Sequence, residues 1–227
     1  MKISSHRRLL TGACGMLTCG LLMATASPAV ARAAAGPTTA SVSGTVLKVT
    51  AATGVQNTLS IGGTSAAIEL IDGAGVTAGT GCRTVNATTV RCSGTGTITE
   101  LAVAAGDRDD VVLLTAPTFG RITGGSGNDL LRSFSNVSQA RLSGNDGNDT
   151  IDGGPLNSLF GQNGNDVLTG GIFLSGGAGD DRLRSFAGGQ TLDGGPGNDR
   201  GDAGAGTDDR CLNLENTLNC ESFTPVG

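Results

Sequence analysis

The stretch that decides the fold is GGSGNDLLR at residues 124–132, because variants of it recur along the chain. Each copy is a six-residue, glycine-rich unit that ends in Asp, with an apolar residue two places before the unit and another two places after the Asp. The copies and their apolar pairs are AGDRDD (105–110) with Val103 and Val112, GGSGND (124–129) with Ile122 and Leu131, GNDGND (144–149) with Leu142 and Ile151, GQNGND (161–166) with Leu159 and Leu168, GGAGDD (176–181) with Leu174 and Leu183, and GGPGND (194–199) with Leu192 and, in place of an apolar partner, Gly201.

The segments between these copies vary in length, since the second apolar residue of one pair and the first of the next are 6 to 11 positions apart. One edge of each repeat is therefore constant in length and chemistry, whereas the return path is not. This pattern predicts an all-β solenoid of stacked coils, since one coil has too little apolar surface to fold alone. The first apolar residues of the pairs would form one ladder inside the stack and the second ones another.

Composition excludes several functions. The chain has 39 glycines among its 227 residues, no Trp and no Tyr, and its one histidine is His6, in a segment expected to be removed. A mature chain without histidine cannot form a Ser-His-Asp or Cys-His triad. Nor does it have the aromatic platforms that stack on single-stranded nucleic acid.

The closing aspartates of the units would stack at the β-strand spacing of about 4.8 Å. Neighbouring charges at about that distance repel by roughly 3 kcal/mol at an effective dielectric constant of about 20, so the column needs a counter-charge. Nearby arginines are too few and too irregular to supply it. Calcium suits the site, because it takes six to eight oxygens from carboxylates and carbonyls. Glycine lets carbonyls turn inward, and Asn at the fifth position of the units is expected to share the left-handed backbone region.

These units resemble the GGxGxDxUx nonapeptide of the hemolysin-type (RTX) calcium-binding repeat proteins. GGSGNDLLR (124–132) and GGAGDDRLR (176–184) match at every defined position, and the resemblance covers about residues 103–210. It implies a right-handed parallel β-roll with Ca²⁺ between the loops of successive coils, four sites between the five good loops and a further one at Asp110. The implied ligands are side-chain oxygens of the closing aspartates and carbonyls of the loop glycines and their neighbours: Gly124, Ser126, Asn128, Asp129, Gly144, Asp146, Asn148, Asp149, Gly161, Asn163, Asn165, Asp166, Gly176, Ala178, Asp180, Asp181, Gly194, Pro196, Asn198, Asp199 and Asp110.

Two departures from that family concern the arrangement of the loops. Its arrays run nonapeptides in tandem, whereas these units recur every 15 to 20 residues, so one edge is expected to carry most or all of the metal. Only GGPGNDRGD (194–202) is followed directly by another copy, AGAGTDDRC (203–211), with Asp208 in the ligand position. Asn145 and Gln162 replace the second glycine, which leaves the carbonyl geometry of their loops open.

Outside the repeats, the sequence predicts a signal peptide at residues 1–35, with Lys2, Arg7 and Arg8 before an apolar run and small residues at the cleavage site. An uncleaved anchor is the alternative. Cleavage of residues 1–35 removes four basic residues and no acidic one. The mature chain then has eleven basic and 20 acidic residues, a net charge of −9. A chain this acidic is not expected to bind nucleic acid or anionic membranes.

The rest of the mature chain is predicted as a β-rich segment (36–102), repeats (103–202) and a C-terminal cap (203–227). Four cysteines remain, and proximity favours Cys82–Cys92 and Cys211–Cys220 among three possible connectivities. Disulfides suit a secreted, extracellular protein. A zinc site is the weaker alternative, because no Cys-x-x-Cys and no mature histidine exist.

Three functions stay open. The first is a secreted, non-catalytic calcium-binding protein that folds or stiffens with its metal, and whose protein or glycan partner the sequence does not identify. The second is a polysaccharide lyase or epimerase on a β-solenoid, which two clustered carboxylates would permit. The third is an adhesive, metal-free solenoid, in which the Gly-Asn-Asp units are only tight turns.

Overall fold

In the computed structural model, the structure describes residues 36–94, 96–134, 139–186 and 188–224. The predicted signal peptide lies outside these residues. The described part contains no helix, and so none that could span a membrane. Its strands are β1 (Thr38–Ser43), β2 (Val46–Thr50), β3 (Thr58–Thr64), β4 (Ala67–Asp72), β5 (Val76–Ala78), β6 (Cys82–Asn86), β7 (Thr89–Cys92), β8 (Glu100–Asp107), β9 (Val111–Leu114), β10 (Phe119–Ser126), β11 (Leu130–Ser133), β12 (Ala140–Asp146), β13 (Thr150–Gly153), β14 (Ser158–Asn163), β15 (Val167–Gly170), β16 (Phe173–Ala178), β17 (Arg182–Arg184), β18 (Thr191–Asp193), β19 (Arg200–Asp202), β20 (Arg210–Leu212), β21 (Asn216–Leu218) and β22 (Ser222–Thr224).

From β8 onward the chain winds between two sheets as a parallel β-solenoid of about six turns, which confirms the predicted fold class. Even-numbered strands from β8 to β22 belong to the first sheet, and odd-numbered strands from β9 to β21 belong to the second. The turns that lead from the first sheet to the second contain the Asp-ending units, and we call this side the acidic edge. The turns that lead back form the return edge, whose described residues are 115–118, 134, 139, 154–157, 171–172, 185–186, 188–190 and 203–209.

The two predicted apolar ladders are confirmed in register. In the first sheet Ile122, Leu142, Leu159, Leu174 and Leu192 pair in that order. In the second, Val112, Leu131, Ile151, Leu168 and Leu183 do the same. All ten side chains are at most 2% exposed. Each burial contributes roughly 1.5–3 kcal/mol, so the stacked ladders supply the core that no single coil has.

The N-terminal strands extend the same two sheets. Strand β2 pairs in parallel with β8, and β3 pairs in parallel with β9. Beyond them the pairing becomes antiparallel, between β1 and β2, β3 and β4, β4 and β7, and β6 and β7. The disulfide Cys82–Cys92 joins directly opposed residues of β6 and β7 with a Cα–Cα distance of 4.0 Å. The second predicted disulfide, Cys211–Cys220, closes the last coil.

Aromatic side chains are excluded from this core. The buried apolar residues are aliphatic, apart from the disulfide sulfurs. None of the five described Phe side chains is buried. From β10 to β18 the coil interior holds one fully buried Leu or Ile per strand, which fits the scarcity of aromatic residues in the chain.

Candidate metal centre

The closing aspartates of the acidic edge form a continuous hydrogen-bonded column. Each of them is at most 2% exposed. The Oδ1 atom of each accepts the backbone N–H of the closing Asp in the preceding coil: Asp129 from Asp110 (2.8 Å), Asp149 from Asp129 (2.7 Å), Asp166 from Asp149 (2.7 Å), Asp181 from Asp166 (2.8 Å) and Asp199 from Asp181 (2.8 Å). The carboxylates thus replace the strand-to-strand hydrogen bonds that the chain cannot make at the turn.

Both ends of this column are capped by residues that the repeat pattern did not identify. The N–H of Asn57 donates to Asp110 Oδ1 at 2.6 Å, and its side-chain amide donates to the same oxygen at 3.1 Å. At the other end Asp199 N–H donates to Glu215 Oε2 at 2.5 Å. Neither cap belongs to a glycine-rich unit, so internal alignment of the repeats gives no signal for them.

The second carboxylate oxygen has no partner. The Oδ2 atoms of Asp110, Asp129, Asp149, Asp166, Asp181 and Asp199 are buried and accept no hydrogen bond. A buried acceptor without a partner costs about 1–3 kcal/mol, and more when it is charged. One such oxygen in each of six successive coils is a regular feature of this edge.

These oxygens lie beside the first glycine of their own loop, close to a carbonyl of the next coil. A Cβ placed on Gly161 would lie 2.1 Å from Asp166 Oδ2 and 2.5 Å from the Gly176 carbonyl oxygen. A Cβ on Gly176 would lie 2.1 Å from Asp181 Oδ2 and 2.7 Å from the Gly194 carbonyl oxygen. In these loops the first-position glycine therefore leaves the space in which a carboxylate and a carbonyl approach the same point, whereas the first unit has Ala105 at this position. This donor set fits a hard divalent cation.

The third-position carbonyls also lie between successive loops. Those of Asp146, Asn163, Ala178 and Pro196 each accept the N–H of the fourth-position glycine in the preceding coil, at 2.8–3.0 Å. A carbonyl has two lone pairs, so one remains available for a cation. Among the described residues, no group of three or more His, Cys, Asp or Glu side chains is placed to hold a metal. Backbone oxygens would therefore supply most of any coordination shell here.

Left-handed backbone occurs at the second and fourth positions of the loops, except at Gly197. Gly125 and Gly127 have φ values of 124° and 131°. Asn145 and Gln162, which replace the second glycine, have φ values of 85° and 86° and so keep the same region. Their side chains are hydrogen-bonded to each other, from Gln162 Nε2 to Asn145 Oδ1.

The expectation for Asn at the fifth position was wrong. Asn128, Asn148, Asn165 and Asn198 are absent from the residues with positive φ. They form a second, exposed ladder instead, in which the N–H of each coil donates to the side-chain oxygen of the coil before: Asn128 to Asp109 (2.8 Å), Asn148 to Asn128 (2.8 Å), Asn165 to Asn148 (2.7 Å), Asp180 to Asn165 (2.8 Å) and Asn198 to Asp180 (3.0 Å). The fifth position therefore requires a side-chain oxygen that accepts a hydrogen bond. In this ladder the N–H donates to the preceding coil, whereas in the column of closing aspartates it donates to the following coil.

The expectation for Asp208 also needs correction, because its side chain is exposed and its φ is 68°. The buried carboxylate is that of the next residue, Asp209, whose Oδ1 accepts Gln190 N–H at 2.9 Å and whose Oδ2 has no partner. It lies on the return edge, between β19 and β20. Alignment on DDR at 180–182 and 208–210 would have identified Asp209 from the sequence.

Burial alters the protonation of the column. It raises the pKa of Asp129 from 3.8 to about 6 and that of Asp166 to about 7, against the lowering effect of the backbone hydrogen bond each accepts. Neighbouring carboxylates raise both values further. The pKa values of Asp110 and Asp181 rise to about 6 by the same cause, and those of Asp149 and Asp199 also rise. Without a bound cation the column thus takes up protons near neutral pH.

Comparison with known proteins identifies the repeats. Residues 121–133, 141–155, 157–172 and 175–209 match the model of the RTX calcium-binding nonapeptide repeat, in four copies. No curated protein and no solved structure matches the chain significantly. The family of these repeats binds Ca²⁺, and the matched residues are those that build the acidic edge. Repeats and solenoid together fit a hemolysin-type, RTX calcium-binding repeat protein.

Proposed function

We propose that the protein is secreted and non-catalytic, and that it folds or stiffens when calcium binds between the loops of its acidic edge. The observation that carries the proposal is the buried, unpartnered Oδ2 atom in each of six successive coils. The proposed ligands are these oxygens together with first- and third-position carbonyls of adjoining loops. Bound calcium would neutralise the column and link each coil to the next.

Secretion is supported by the two disulfides and by the signal-like residues 1–35. Outside the cell, sites with dissociation constants of roughly 0.1–1 mM would be loaded, whereas in cytosol they would be empty. A ligand that binds only the folded state stabilises it by about 1 kcal/mol per site at five times its dissociation constant. Several such sites together would decide whether the roll forms.

Calcium titration by calorimetry, paired with circular dichroism in chelator and in calcium, tests the proposal. Asp149→Asn keeps an oxygen that can accept the Asp129 N–H but replaces the unpartnered oxygen by an amide NH₂. We expect this variant to lose at least tenfold in affinity at the adjoining sites. Asp109→Asn is the matched control, because Asp109 is on the same edge but exposed. Wild-type calcium binding by Asp149→Asn, or a β-sheet spectrum that chelator leaves unchanged, would refute the proposal.

A further inference from the structure

A groove of about 930 Å³ lies on the outer face of the second sheet, across β15, β17, β19 and β21. We call it the arginine groove, after Arg182, Arg184 and Arg200 in its lining. The side chains of all three are exposed, whereas the intervening Leu183 and Gly201 are buried. The groove therefore presents three guanidinium groups to solvent on a chain whose net charge is −5.

Two of these arginines are direct neighbours. Arg182 and Arg200 are register partners on β17 and β19, one strand spacing apart. Like charges directly opposite each other in a sheet destabilise it. Among the residues that the structure describes, neither has an ion pair or an aromatic ring against its guanidinium.

Of the other eight described arginines, five have an ion pair or an aromatic ring against the guanidinium, whereas Arg83, Arg108 and Arg210 have neither. On the same face, Arg132 pairs with Asp152 at 3.1 Å, and Arg184 lies 3.8 Å from Asp202. A second register pair, on the first sheet, differs from Arg182 and Arg200 because each of its members has a partner. That pair is Arg121, which lies 3.8 Å from Glu100, and Arg141, whose guanidinium lies 3.6 Å from the Phe160 ring centre.

The acids in the groove are already engaged. Asp202 Oδ1 accepts the N–H of Gly204 at 3.1 Å and the amide of Asn219 at 2.8 Å. Glu215 Oε2 accepts the N–H of Asp199 at the end of the column. Arg182 and Arg200 are thus left for a ligand from outside the chain.

The other residues that line the groove indicate the chemistry of that ligand. Two neighbouring guanidinium groups can hold one carboxylate, each through charge-assisted hydrogen bonds, and carboxylates are the partners of the other arginines on this face. Leu218, at 65% exposure, offers an apolar wall, and Thr169 and Asn216 offer polar groups for hydroxyls. We infer that the arginine groove binds a carboxylated glycan, with a uronate carboxylate between Arg182 and Arg200 and a sugar ring against Leu218.

The test is the binding of a galacturonate hexamer to the full protein, with calcium in constant excess over the glycan. A neutral glucose hexamer and a sulfated hexasaccharide are the comparison ligands. We expect the galacturonate hexamer to bind with a dissociation constant below 1 mM. The double variant Arg182→Gln, Arg200→Gln should weaken that binding at least tenfold. Arg210→Gln, which removes the same charge from the first sheet, should change it less than twofold.

A stability measurement separates a binding role from a structural one. If the two positive charges repel without a ligand, Arg200→Gln should leave the glycan-free thermal midpoint unchanged or raise it. A lowered midpoint would overturn the inference, as would equal binding of the neutral hexamer, tighter binding of the sulfated one, or no galacturonate binding at 1 mM. Calcium stoichiometry should stay that of the wild type in every variant, so failure here is distinct from failure of the calcium proposal.

Discussion

The two edges of the roll differ in how they satisfy backbone groups. At both edges the chain turns, and backbone groups at the turn need hydrogen-bond partners other than those of the strands. On the return edge Asn157 does so with complete partners: its Oδ1 accepts Ala140 N–H at 2.9 Å and its amide donates to Ser133 Oγ at 2.9 Å. On the acidic edge each closing Asp uses one oxygen for the backbone and leaves the other buried without a partner. Such oxygens recur in every coil of the acidic edge, whereas on the described part of the return edge Asp209 is the one carboxylate with a buried oxygen that has no partner.

The surfaces of the two edges differ accordingly. The return edge exposes one large apolar side chain in each of several turns, namely Phe134, Leu156, Ile172 and Phe186, at 44–58% exposure. Its turns vary in length, since no column of ligands has to be kept in line. Constant spacing on one edge and free variation on the other thus follow from where the cation would sit.

The largest effect is expected from Gly147→Ala on the acidic edge. Gly147 has φ of 129°, and a Cβ there would lie 1.9 Å from the backbone oxygen of Gly127 in the preceding coil. Backbone cannot move aside as a side chain can, so we expect a loss of roughly 3 kcal/mol or more in unfolding free energy, or failure to fold. Denaturant unfolding in saturating calcium measures it.

Gly189→Ala on the return edge is the control for that variant. Its φ is 77°, but a Cβ there would meet nothing within 4 Å. It should therefore cost only the left-handed backbone term of about 1–2 kcal/mol. Equal losses in the two variants would mean that coil-to-coil contact at the acidic edge is not what requires glycine.

The stability of the calcium-free protein should depend on pH. The folded pKa values of Asp129 (about 6) and Asp166 (about 7) lie above the ordinary 3.8, so the folded chain binds more protons than the unfolded chain between about pH 4 and 7. Stability in chelator should then fall as pH rises from about 4 to 7 and level off above that range. Calcium competes with these protons, so the stabilisation that it provides should grow over the same range.

Thermal unfolding at pH 5 and pH 8, in chelator and in calcium, measures both trends. Asp166→Asn removes one of the raised groups and should flatten the fall seen in chelator. A midpoint in chelator that rises from pH 5 to pH 8 would contradict the burial of unneutralised carboxylates on this edge.

Much of the fold could be predicted because one rule repeats. A pair such as Leu142 and Ile151 at constant spacing around each unit identifies both ladders, and the period locates the edge. The caps at Asn57 and Glu215 could not be found in this way, since they occur once and lie outside the units. The role of Asn at the fifth position could not be predicted for a related reason. Asn is favoured there either because it tolerates left-handed backbone or because its side chain accepts a hydrogen bond. Only the contacts with neighbouring coils distinguish the two explanations.

The smallest effect is expected on the return edge, from Leu156→Ala. Leu156 is 54% exposed, whereas Leu159, three residues on in the same coil, is fully buried. Truncating Leu156 should change the unfolding free energy by no more than about 0.5 kcal/mol. Leu159→Ala should cost about 2–5 kcal/mol through lost burial and the cavity left in the ladder. Denaturant unfolding in saturating calcium compares the two. A loss at Leu156 that approaches the loss at Leu159 would contradict this exposure and mean that the apolar side chains of the return edge are covered in the folded protein.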